Sequence, residues 1–174
     1  MSYKMSMEEK LTLNPDAQEE NDEEAKSSTA ESETLPFKRI LVPLDGSEHS
    51  VKALKIAVQI ALKFGGGITL IHVYQVGGFA ISPTPVNEFI EAVRKMGVDI
   101  LSDGEKRVKS EGVAVEKLLV EGRPVDQIVK TCRERGFGMI IMGARGLSRV
   151  KEVILGSVSE GVVRHASCPV LVVK

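Results

Sequence analysis

Two short stretches hold residues whose types and spacing suit the binding of an anion. In Gly143-Ala-Arg145-Gly146, two residues without a Cβ can take positive φ and bring main-chain N–H groups close to a negative charge, and Arg145 adds a charge of its own. Further on, Gly156 and Ser157 fall where a helix running over 150–165 would carry an interior glycine, at a cost of about 1 kcal/mol. Ser157-Val-Ser-Glu160 has the S-x-x-E form of a capping box, so the spacing predicts a fresh helix beginning at Ser157, with Val158, Val162 and Val163 as its apolar positions. The N–H groups of Gly156, Ser157 and Val158, with the positive end of the helix dipole, would then be free to meet phosphate. A loop and kinked helix that merely close a sheet would show the same glycines. Neither G-x-x-x-x-G-K-[ST] nor G-x-G-x-x-G occurs, so the stretch is neither a P-loop nor the usual dinucleotide fingerprint.

The second stretch is Pro43-Leu-Asp45-Gly-Ser47, in which Asp45 ends an apolar run and is the acid best suited to a functional role. His49 follows at a helix start and could act as a base, although a solvated position there needs no further reason. His72 alternates with apolar residues and reads as a satisfied sheet histidine, and His165 near a helix end complements its dipole. No cluster of carboxylates is visible, so Mg2+ or Mn2+ would ride on bound phosphates. Cys132 and Cys168 have no CxxC or zinc-ligand spacing and read as small core hydrophobes, without a disulfide framework or metal site.

The elements that must position these residues alternate along the chain. Strands are predicted over 39–44, 68–73, 115–120, 139–142 and 169–173, each a short apolar or β-branched run. Between them, Val51, Leu54, Val58, Ala61 and Leu62 give one helix, stopped by Gly65-Gly-Gly67. Phe89, Ile90, Val93, Ile100, Leu101 and Val108 give a second over Val86–Ser110, weakened by Gly97 and Gly104. Val125, Ile128, Val129 and Cys132 give a third, opened by Gly122-Arg-Pro124 with proline at a first helical position. Such alternation predicts an α/β doubly wound parallel sheet of five strands with helices on both faces. In the order 3-2-1-4-5, strands one and four lie side by side at the switch point, and both anion-suited loops face one crevice. The loop at Gly122 would favour 2-1-3-4-5 if it were functional; we read it as turn punctuation.

Composition narrows the class further. Residues 1–36 hold ten acids and three bases, about −7, whereas 37–174 hold fourteen acids and twenty bases, about +6. The tail lacks apolar periodicity and reads as disordered, either solvated or able to fold back on the basic body. No apolar run approaches the roughly 18 residues that cross a bilayer, which predicts a cytoplasmic protein without membrane contact. The chain has no Trp, which argues against a base-stacking nucleic-acid platform.

The spacing Gly143-x2-Gly146-x9-Gly156-Ser157 resembles the ATP-binding signature of the universal stress protein family. The resemblance covers 37–174, through Ile40-Leu-Val-Pro-Leu-Asp-Gly-Ser47, Ile71-His-Val73 and Cys168-Pro-Val-Leu-Val-Val173, and leaves the tail outside. It implies a Rossmann-like sheet with Pro43, Asp45 and Val73 beside a nucleoside. It also implies Met142, Gly143, Arg145 and Gly146 on ribose and phosphates, and Gly156, Ser157 and Val158 closing on the phosphate chain. The ligand implied is ATP, or AMP or ADP. The leading expectation is a regulatory nucleotide-binding module that acts through a protein partner. A slow ATPase or ATP pyrophosphatase-like enzyme, with Asp45 or His49 as base, is the alternative. A third reading is a dimeric scaffold with incidental nucleotide, since Val170 to Val173 forms an apolar strand at the sheet margin with no helix to cover it, able to pair with a second copy. Valine at Gly143 or Gly156 is expected to block the phosphates while the fold survives.

Overall fold

Ile40-Leu-Val42 and Ile140-Ile-Met142 run apolar without alternation, the pattern of strands buried on both faces. A computed structural model describes residues 37–76, 86–147 and 155–174; the acidic segment 1–36 lies outside them. The elements are β1 (Arg39–Pro43), α1 (Glu48–Phe64), β2 (Gly67–Tyr74), α2 (Val86–Ser110), β3 (Val115–Glu121), α3 (Pro124–Arg135), β4 (Met139–Gly143), α4 (Ser157–His165) and β5 (Val170–Val173). The five strands are parallel in the order β3-β2-β1-β4-β5, with Ile40 and Leu41 of β1 facing Met139 and Ile140 of β4. The expected doubly wound sheet and its switch point between β1 and β4 are therefore observed.

Successive residues of β1 point to opposite faces and feed two cores. Ile40 and Val42 pack with Ala53, Leu54, Ala57, Val58 and Ala61 of α1 and with Leu101 and Val108 of α2. Leu41 packs with Ile128 and Cys132 of α3 and Val162 of α4. The buried stripe of α1 is built on alanines more than the periodicity suggested: Leu62 is 48% exposed. Alanine lets the helix backbone sit close to the sheet. The two α2 glycines serve the same end. A Cβ on Gly97 would lie 2.6 Å from the His72 ring, and one on Gly104 would lie 2.6 Å from Leu44, so both mark close packing that offsets their low helix propensity.

Strand β5 lies at the sheet margin, but it is not bare. Val170 packs on one core and Val173 on the other, while Leu171 is 36% exposed. Among the described residues, no helix is long and apolar enough to cross a membrane.

Candidate functional site

The turn after β1 is fixed by its own side chains. Asp45 Oδ1 accepts from the Ser47 N–H (3.0 Å) and the Ser47 hydroxyl (2.6 Å), and Gly46 between them takes φ 81°. Ser47 then caps α1 by accepting from the Ser50 N–H at 3.2 Å. The loop after β1 is held to β2 as well: the Leu44 carbonyl accepts from His72 Nδ1 at 2.7 Å, which puts that ring's proton on Nδ1 and satisfies the histidine as its strand position predicted.

The turn after β4 is clipped to the start of α4 at one atom. The Ala144 carbonyl accepts from the Gly156 N–H (2.7 Å) and the Ser159 hydroxyl (2.7 Å), and the Ala144 N–H donates to Val173 of β5 at 2.7 Å. Ser159 is buried and shares its proton with the Gly156 carbonyl at 2.8 Å. The capping box therefore does not form. Gly156 is the N-cap, without a side-chain cap, and Ser157 is the first helical residue; Glu160 pairs instead with Arg164 at 2.9 Å. Extended backbone at Gly156, φ −73° and ψ 158°, lets its N–H turn back to Ala144, so that N–H is engaged. The Ser157 and Val158 N–H groups, which helix geometry leaves without an internal acceptor, meet none among the described residues. Replacing Ser159 with alanine is expected to cost about 1 kcal/mol in a denaturant melt, because one buried hydroxyl bond is lost while Ala144 keeps its other donor. Ser157→Ala, on an exposed side chain, is expected to stay within about 0.5 kcal/mol of the parent in the same melt.

These turns enclose a cavity of about 310 Å³ at the carboxyl ends of β1, β2 and β4. All ten residues that the sequence singled out line it: Pro43, Asp45, Val73, Met142, Gly143, Arg145, Gly146, Gly156, Ser157 and Val158. Ile71, Val73, Ile128 and Met142 supply an apolar part, and the turns supply main-chain groups, hydroxyls, the Asp45 carboxylate and Arg145. Asp45 and Arg145 are the only charged residues in the lining among the described residues, and His49 is not in it.

Two expectations about the glycines are corrected. Neither Gly143, Gly146 nor Gly156 takes positive φ. Nor is the fold expected to survive valine at Gly143: a Cβ there would sit 2.7 Å from the His49 carbonyl carbon and 2.8 Å from the Ser50 nitrogen, inside the backbone of α1. Gly146 is different, since its Cβ would lie 2.5 Å from Asp45 Oδ2, the second carboxylate oxygen, at the meeting of the two turns. A Cβ on Gly156 would find ordinary room, 3.4 Å from its nearest neighbours.

Sequence reasoning missed the α3 contribution. Pro124 and Ile128 line the cavity although the order is not 2-1-3-4-5. Helix α3 leaves the β3 edge and must cross β2 and β1 to reach β4, which carries its first turns past the strand ends. The connection from β3 to β4 across two strands was the signal available for it.

Comparison with known proteins is consistent across sequence and structure. Residues 36–174 match the profile of the universal stress protein family. The chain is 33% identical over 147 residues to universal stress protein YxiE of Bacillus subtilis, covering 79% of this chain and 99% of the relative. Among solved structures it resembles universal stress protein UspA from Lactobacillus plantarum, with a TM-score of 0.72 and 25% identity over 79% of this chain and 98% of that one. It also resembles the universal stress protein from Archaeoglobus fulgidus in complex with dAMP, with a TM-score of 0.59 and 26% identity over 80% of this chain and all of that one, 100%.

Proposed function

The chain belongs to the universal stress protein family, and from that premise we propose that the cavity at the β1–β4 switch point holds an adenine nucleotide, ATP or its products ADP and AMP, as the ligand of a regulatory module. The observation that carries this reading is the convergence of the two turns and the α4 N-terminus on one cavity beside an apolar wall. In this reading Val73 and Asp45 flank the nucleoside. Arg145 and the main chain of Gly146 meet ribose and phosphates, and the N–H groups of Ser157 and Val158, which have no acceptor among the described residues, meet the phosphate chain. The dAMP complex of the Archaeoglobus relative supports a nucleotide as the ligand class.

A divalent cation would bind through the phosphates. No three His, Cys, Asp or Glu side chains among the described residues stand together to hold one. The lining also supports holding over turnover. Phosphoryl transfer needs a group that orients the attacking water, and Asp45, the one carboxylate in the lining among the described residues, has one oxygen committed to the Ser47 turn.

The module would act through a protein partner and as a pair of its own copies, joined along the outer edge of β5 where Leu171 is exposed. Light scattering at micromolar concentration is expected to give twice the chain mass, and a monomer would remove the edge-pairing part of the reading. Calorimetric titration of the full chain with ATP, ADP and AMP is expected to show one saturable site per chain. No heat and no competition with any of the three would overturn the assignment.

A further inference from the structure

We infer that Cys132 and Cys168 form a dithiol that a hydroperoxide converts into an intrachain disulfide, closing a covalent ring around the segment that carries the β4 turn and the α4 N-terminus of the cavity. The two thiols come from different elements, Cys132 near the end of α3 and Cys168 in the turn between α4 and β5. Nothing in their separation of 36 residues predicts a meeting, yet their sulfurs stand 2.8 Å apart, closer than unbonded sulfurs ordinarily pack. A disulfide needs a separation near 2.05 Å, so less than 1 Å of movement joins them. They are also the only two cysteines in the chain, so an intrachain product has one possible connectivity.

The pair is asymmetric in a way that orders the steps. Cys132 is 2% exposed, and burial, with the hydrogen bond to Cys168 adding to it, pushes its thiol up to about 12, so it stays protonated at neutral pH. Cys168 is half-buried and is the sulfur that a small oxidant reaches first. Cys168 takes one oxygen from hydrogen peroxide, giving a sulfenic acid and one water. The Cys132 sulfur then displaces that oxygen, the S–S bond forms, and the Cys132 proton leaves with it as a second water. The two sulfurs together lose two electrons and the peroxide gains them.

The ring encloses β4, the Gly143 to Gly146 turn and all of α4. By restricting the unfolded chain it is expected to raise the melting temperature by on the order of 10 °C. The test uses the full reduced chain, treated with hydrogen peroxide while folded, then unfolded in denaturant containing an alkylating reagent, so that the buried thiol is reached, and weighed intact under non-reducing conditions. Before oxidation both thiols should alkylate. Afterwards neither should, and the product should be a single chain two hydrogens lighter, melting higher and restored by dithiothreitol. Cys132→Ala should instead accumulate oxidised Cys168 or interchain dimer; should that variant fail to fold, the wild-type mass decides alone. Two alkylatable thiols after peroxide, an interchain dimer as the wild-type product, or Cys168 carried to the sulfinic acid with Cys132 still free would each overturn the inference.

Discussion

Gly143→Val is expected to unfold the protein, with the melting temperature falling by 10 °C or more, on the order of 3 kcal/mol or above for a domain of this size. The cause lies in the contact that a side chain would make. Strand β4 passes under the first turn of α1, and a Cβ at Gly143 would come within 2.7 Å of the His49 backbone and 2.8 Å of the Ser50 nitrogen. A flexible side chain could swing aside; a helix backbone anchored by the Ser47 cap and by the Ala53, Leu54 and Ala57 contacts cannot do so cheaply. Gly156→Ala is the matched control: among the described residues its Cβ meets nothing nearer than 3.4 Å, so the variant should melt within about 1 kcal/mol of the parent, the cost of alanine at an N-cap. Thermal unfolding followed by circular dichroism separates the cases. A Gly143→Val protein that melts like wild type while losing only its ligand would restore the reading that the sequence alone suggested.

Ser157→Asp is expected to lower nucleotide affinity by about 100-fold without loss of stability. Ser157 is exposed and is the first residue of α4. A carboxylate there suits the helix dipole, worth about 0.3–1 kcal/mol in favour of the fold. The same charge would face the phosphates. Two like charges a few ångströms apart at a protein surface repel by up to about 4 kcal/mol, and screening at an exposed position reduces each pair to about 1, so that the phosphates of a bound triphosphate together oppose the carboxylate by about 2–3. A tenfold change corresponds to about 1.4 kcal/mol. Stability and affinity should therefore move in opposite directions, which a merely structural role for Ser157 would not produce. Unchanged affinity in a folded variant would remove the α4 N-terminus from the phosphate site.

The parallel sheet was legible because Ile40-Leu-Val42 and Ile140-Ile-Met142 are apolar on both faces, the pattern of strands covered twice, and its order because the small-residue loops after strands one and four belong together at a switch point. The cavity lining was legible because it sits where strand ends meet at the switch point, and the glycine and serine positions mark those ends. The physical role of each residue was less so. Glycine is chosen both for close approach to a ligand and for close approach of a helix, and the sequence does not separate the two; at Gly143 the structure shows the close approach of α1. The S-x-x-E pattern at Ser157 misled because Ser159, one residue before Glu160, found the Ala144 carbonyl. That bond spans fifteen residues and depends on where β4 places Ala144, which no local pattern encodes. The meeting of Cys132 with Cys168 was hidden for the same reason, since it joins α3 to the β5 margin through the tertiary fold. The segment 1–36, read from its charge as disordered, lies outside the described residues.

Amide hydrogen exchange on the full chain, with and without saturating ATP and Mg2+, tests most directly whether this cavity is the nucleotide site. Binding there should slow exchange in peptides covering 43–47, 143–147 and 155–160, with little change on β3 or the far end of α2. Protection confined to other surfaces, or none at a concentration where calorimetry shows the site filled, would contradict the account.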